Sequence, residues 1–130
     1  MSAKIRTACI NPDGGDEGEV TLNIVEFWSM TGASPDGDHH LSAVVGMTTA
    51  GDPVIHIIGE HVNARQARRH AEKWADRLNG QLETGEPLKF PPMVEVSPEV
   101  RRGIAEGFMA EYAREAIRAL MAEAGAATAH

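Results

Sequence analysis

Residues 20–30, VTLNIVEFWSM, alternate: Val20, Leu22, Ile24, Trp28 and Met30 share one parity, broken only by Glu26. That period of two predicts a half-buried strand whose other face, Thr21, Asn23, Val25, Phe27 and Ser29, is mixed. A shorter run, AKIRTACI over 3–10, predicts a strand before it, separated by NPDGGDEGE, whose Asn-Pro and Gly-Gly steps mark a loop. LSAVVGMTT (41–49) and PVIHIIGE (53–60) flank the turn-like AGDP. So short a connection favours an antiparallel hairpin over a parallel crossover, which needs a dozen or more residues.

The period then lengthens. Ala64, Ala67, Ala71, Trp74, Ala75 and Leu78 recur at helical spacing, predicting a helix over 63–79 with Asn63 as N-cap and Gly80 just past its end. Residues 80–97 lose that period and contain Pro87, Pro91 and Pro92, which reads as an extended connector, with LKF or MVEV as a short edge strand. Ser97-Pro98-Glu99 is a strong helix start, opening a second helix over 98–124. Its polar arc is narrow (Glu111, Arg114, Glu115, Arg118) and its apolar arc is wide. A helix of that kind seeks cover on more than one side. It either lies on the second face of its own sheet or meets a partner or second copy through Phe108, Met109, Tyr112, Ile117 and Leu120. Gly103 and Gly107 would let another backbone come close. The expected fold is one α+β domain over 1–130: an antiparallel sheet of about four strands, helix 63–79 on one face, and a long C-terminal helix.

Composition adds limits. With 130 residues the chain is large enough to bury roughly two thirds of its surface. Its lone cysteine, Cys9, excludes an internal disulfide and reads as a small buried hydrophobe. No run approaches the ~18 apolar residues needed to span a bilayer, and the first residues lack an apolar signal core, so a cytoplasmic, non-membrane protein is expected. The net charge of −7 is uneven: residues 1–60 hold nine acids and two bases, residues 61–79 five bases and two acids. One basic element thus abuts an acidic half, which disfavours strongly basic, non-specific nucleic-acid binding.

No motif names a reaction. There is no Gly-rich phosphate loop ending in Lys-Ser/Thr, and no Gly-x-Ser-x-Gly elbow. His56 and His61, five apart, point to opposite faces of a regular strand, and His70 sits on the helix flank, so they form no ligand set. His56, between Val54 and Ile58, reads as a core histidine. The weak metal candidates are Asp36, Asp38, His39 and His40, a cluster that an exposed turn explains equally well. No cofactor is expected. If there is an enzymatic or ligand site, it lies on the mixed sheet face around Asn23, Phe27 and His56, with His39 and His40 overhead.

The helix carries the remaining signal. Arg65, Arg69, Lys73 and Arg77 follow at i, i+4 with Arg68 alongside, a spacing of like charges that costs a few tenths of a kcal/mol per pair. Opposed to them are the acids Asp13, Asp16 and Glu17 of the first loop. NARQARRHA, after a run of strands, loosely resembles the C-terminal part of a double-stranded-RNA-binding domain, though that domain's leading helix is missing here. The resemblance implies RNA contact, which the acidic remainder disfavours. The expectation is a small non-enzymatic binding or regulatory protein. It would dock through these charged residues on a protein or ribonucleoprotein partner, with a homodimer through the C-terminal helix as a further possibility. Phage and mobile-element inhibitors, including anti-CRISPR-type proteins, share this kind of composition.

Overall fold

The computed structural model describes residues 2–6, 19–34, 37–51 and 53–128. Its elements are β1 (Ser2–Arg6), β2 (Glu19–Ala33), β3 (His40–Thr48), β4 (Pro53–His61), α1 (Ala64–Thr84) and α2 (Pro98–Thr128). The fold is α+β: an antiparallel sheet and two helices, the second of them long. The expected sheet of about four strands holds in part. The body of the sheet is three strands, β2, β3 and β4, and β1 is a five-residue pairing against the start of β2, Ser2 opposite Asn23 and Arg6 opposite Glu19. It meets only the part of β2 that runs past β3, whose pairing begins at Ile24. Residues 7–10 of the expected first strand lie outside the described residues, as does Cys9.

The parity expected for β2 holds only in halves. The register between β2 and β3 shifts between Ile24 and Glu26, and Val25 is left 57% exposed. A bulge of this kind inserts one residue and flips everything after it. Ile24 and Phe27, of opposite parity, therefore share one buried cluster with Val44, Val54, Ile58, Ala75 and Leu78. Trp28 and Met30 pass to the other cluster, with Leu41, Ala43, Val45, Met47, Ile55, Ile57, Ile104 and Phe108. Gly46, opposite Phe27, makes room: a Cβ there would stand 3.2 Å from the Phe27 ring and 3.3 Å from Ile24. Every residue of β3 from Leu41 to Thr48 is buried. The sheet is thus the middle of three layers, apolar on both sides.

α1 covers the first face. Asn63 caps it, its Oδ1 accepting from the Gln66 N–H at 2.9 Å. The helix does not stop at Gly80 but runs to Thr84 and ends on Gly85, whose φ of 74° is the left-handed cap conformation. Gly80 is tolerated inside because Leu82 beyond it still packs on the core. On its flank toward β2, the Asn79 side chain binds the Phe27 backbone twice. The Phe27 N–H donates to Oδ1 at 2.8 Å, and Nδ2 donates to the Phe27 carbonyl at 2.9 Å. One side-chain amide thus replaces a neighbouring strand at that point of the sheet edge.

Residues 85–97 form no strand. They wrap the edge of β4 instead: Leu88, Phe90 and Met93 join the α1-side cluster, the Val94 N–H donates to the Ile57 carbonyl at 2.8 Å, and Val94 and Val96 join the opposite one. α2 then covers the second face with Val100, Ile104, Phe108 and Tyr112. Trp28 meets Phe108 edge-on at 5.8 Å and Tyr112 at 5.6 Å. Beyond Tyr112 the helix leaves the sheet, and Ile117, Leu120 and Met121 are exposed. Only the first half of this helix takes the expected place on the second face of the sheet.

Replacing Asn79 by Ala strips both partners from the Phe27 backbone at a part-buried site, and this should cost about 1–3 kcal/mol in urea denaturation. A loss below about 0.5 kcal/mol would mean that water substitutes for the amide.

Candidate functional site

The exposed side of α1 carries the cations. The helix buries Ala67, Ala71, Ala75 and Leu78, so Arg65, Arg68, Arg69, Lys73 and Arg77 all face outward. They are not one stripe. Each step of four residues advances about 40° around a helix, so the row from Arg65 to Arg77 swings through roughly 120°. Arg65, Arg69 and Lys73 share the outer face. Arg77 turns toward the β4 side and lies 4.6 Å over the Trp74 ring, and Arg68 turns toward the β2 edge. Among the described residues, none of Arg65, Arg68, Arg69 and Lys73 is within ion-pair distance of a carboxylate, although Glu72 and Asp76 share the helix. The acidic counterparts Asp13, Asp16 and Glu17 lie outside the described residues, as does Asp36.

A second cluster forms where β3 and β4 meet the start of α1. The register slips again between Ser42 and Ala43, so Ser42 faces Gly59 and His40 faces His61. The expectation that His61 and His70 stay apart is corrected: their rings are 5.0 Å apart. The slip and the absence of a side chain at Gly59 allow it, since a Cβ there would stand 2.7 Å from Ser42 Oγ, 2.8 Å from His61 Nε2 and 3.1 Å from His70 Cδ2. His61 Nε2 is 3.1 Å from Ser42 Oγ, and His70 Nε2 lies 3.3 Å from the Ile58 carbonyl. His39 Nδ1 lies 3.4 Å from Glu60. Burial, and then the neighbouring His70, hold the His61 imidazole below its ordinary range. Among the described residues no three His, Cys, Asp or Glu converge as metal ligands.

The mixed sheet face offers no open site at Asn23, Phe27 and His56. His56 is 3% exposed and stacks on Phe90 at 4.3 Å and 9°, while Phe27 meets the same ring edge-on at 5.8 Å. Asn23 is exposed near Thr49, at the far end of β3 from His39 and His40. The expected α2 set divides as well. Phe108 and Tyr112 serve the protein's own core, whereas Met109, Ile117 and Leu120 are 42%, 56% and 66% exposed. Glu111 pairs with Arg114 and Glu115 with Arg118, each one turn along, and the Arg114 guanidinium holds the Glu111 carboxyl below its usual range. No helix among the described residues is long and apolar enough to cross a membrane.

Sequence reading missed the His61–His70 approach and the Asn79 clamp. The available signal for the first was Gly59 itself, since a glycine inside an apolar strand marks a bulge or a close approach.

His61 titrates lower when folded than when unfolded, so the unfolded chain binds more protons in that window. The stability this contributes is present above about pH 6.5 and is lost as pH falls through the folded value. Urea unfolding between about pH 7.5 and pH 5 should show a declining stability that flattens in His61→Gln. An unchanged slope in that variant would remove His61 from the account. No protein-family model matches the chain, and no curated protein or solved structure resembles it closely enough to lend it a family.

Proposed function

We propose that the protein is a non-enzymatic binding or regulatory protein that docks on a macromolecular partner through the cationic face of α1. The observation that carries this reading is the group Arg65, Arg68, Arg69 and Lys73, exposed and without an ion pair among the described residues, in a chain whose net charge is −7. Repulsion along the helix costs only about 1 kcal/mol in all, so stability does not forbid the arrangement. Nothing in the core requires it either, because the buried side of α1 is alanine and leucine. An acidic protein or ribonucleoprotein surface is the complementary partner.

A second reading rests on the histidine end of the sheet, where Gly59 clears space for Ser42, His61 and His70 around one point. A small ligand held there would shift the His61 and His70 ring resonances.

The first reading is tested by charge reversal. Arg65→Glu, Arg69→Glu and Lys73→Glu together should weaken capture of a stoichiometric partner from native extract at least about tenfold. Raising salt from about 50 to 300 mM should mimic the effect on the unmodified protein. Equal capture by the triple variant, or capture indifferent to salt, would overturn the reading. Retention of the unmodified protein on duplex RNA, lost in the variant, would identify the partner as nucleic acid.

A further inference from the structure

Among the described residues, the outer edge of β2 is unpaired by any strand where it passes between the two helices. β1 occupies that edge only from Glu19 to Asn23. From there the ladder to β3 alternates. The Ser34 N–H donates inward to the His39 carbonyl, and Phe27 presents its N–H and carbonyl outward to Asn79. The period of two between these fixed points turns Trp28, Met30 and Gly32 toward β3, and the backbones of Ser29, Thr31 and Ala33 away from it. Asn79 satisfies Phe27. Among the described residues no strand pairs with the next three.

These groups lie in a trough. A cavity of about 520 Å³ follows Ser29, Met30 and Thr31, walled by Arg68, Ala71 and Glu72 of α1 and by Gly107, Glu111 and Arg114 of α2. A second of about 320 Å³ continues it along Met30–Ala33 beside Gly103, Ile104 and Gly107. Gly107 keeps the α2 wall low: a Cβ there would meet only Met30 Cε, at 3.9 Å, and one at Gly103 would meet nothing.

We propose that this edge is a peptide-binding site that takes one extended segment of a partner protein as an added strand. Outward N–H and carbonyl groups at every second residue match an extended backbone and neither a helix nor a nucleic acid. From Ser29 to Ala33 the ladder runs about 13 Å, room for roughly five residues. A second copy does not fit, because its β2 would bring its own α1 and α2 against these walls. Arg68 projects into the trough with no ion pair among the described residues, while Arg114 is held by Glu111, so the segment carries an acidic side chain where it passes Arg68. The site goes beyond docking on the outer face of α1, and its test alters no residue of that face.

The test is selection of a displayed library of random dodecapeptides on the immobilised protein, followed by affinity measurement on the enriched peptides. Thr31→Pro removes an outward N–H while leaving the bonds to β3 in place, and Thr31→Val keeps that N–H. Gly107→Leu fills the trough from a helix position that gains propensity. Enriched peptides should carry an acid, shift the amide resonances of Ser29, Thr31 and Ala33, and bind Thr31→Pro and Gly107→Leu at least about tenfold more weakly than Thr31→Val. Equal melting of Gly107→Leu and the unmodified protein guards against misfolding. No enrichment, or equal binding by all variants, overturns the proposal. So does a concentration-dependent dimer in sedimentation that Thr31→Pro abolishes, since the occupant would then be a second copy.

Discussion

The pair of hydrogen bonds between the Asn79 amide and the Phe27 backbone stands where the two layers of the molecule are decided. Phe27 is two residues past the bulge at Val25, the point where β2 changes which side chains it sends to which helix. Were β2 regular, Ile24 and Phe27 would lie on opposite faces. The bulge gives both to α1 and releases Trp28 and Met30 to α2. A bulge leaves local backbone groups poorly paired, and a buried unpaired amide or carbonyl costs about 1–3 kcal/mol. Just past the bulge, Asn79 removes such a cost at the N–H and carbonyl that Phe27 turns to the sheet edge. Gly46 supplies the space across the strand.

From this follows a sheet apolar on both faces, with β3 buried throughout and a helix on each side. Two consequences bear on function. The outward side of α1 is relieved of any packing duty, so its cations cost little and neutralise nothing among the described residues. The edge of β2 is sealed at Phe27 by a side chain, but beyond it the strand continues into a trough between the helices. Charge and strand edge lie around the same flank, with Arg68 belonging to both. The proposed docking face and the proposed peptide site therefore adjoin at Arg68.

The alternation and helical spacing made the elements legible in the sequence, because each buries a recurring face. β3, β4, the start of α1 and the start of α2 stand where the hydrophobic period places them. What escaped was every feature that depends on a partner distant in the chain. The bulge at Val25 is invisible in VTLNIVEFWSM, since its benefit lies in Leu78, Ala75 and Phe108, fifty residues and more away. Gly80 resembled a helix end because local chemistry favours one there, and packing of Leu82 overrode it. His70 resembled a bystander because the slip in β4 that brings it to His61 is a pairing event. The cations of α1 were visible as residues, but their division among the outer face, Trp74 and the β2 edge required the helix to be set on its sheet.

Amide hydrogen exchange along β2, read residue by residue in the free protein, tests the central arrangement most directly. Trp28, Met30 and Gly32 bond to β3 and Phe27 bonds to Asn79, so these four amides should exchange slowly. Ser29, Thr31 and Ala33, turned outward on an open edge, should exchange orders of magnitude faster, in strict alternation. Uniform protection from Phe27 to Ala33 would contradict the open edge, and rapid exchange at Phe27 would contradict the clamp on which the two layers depend.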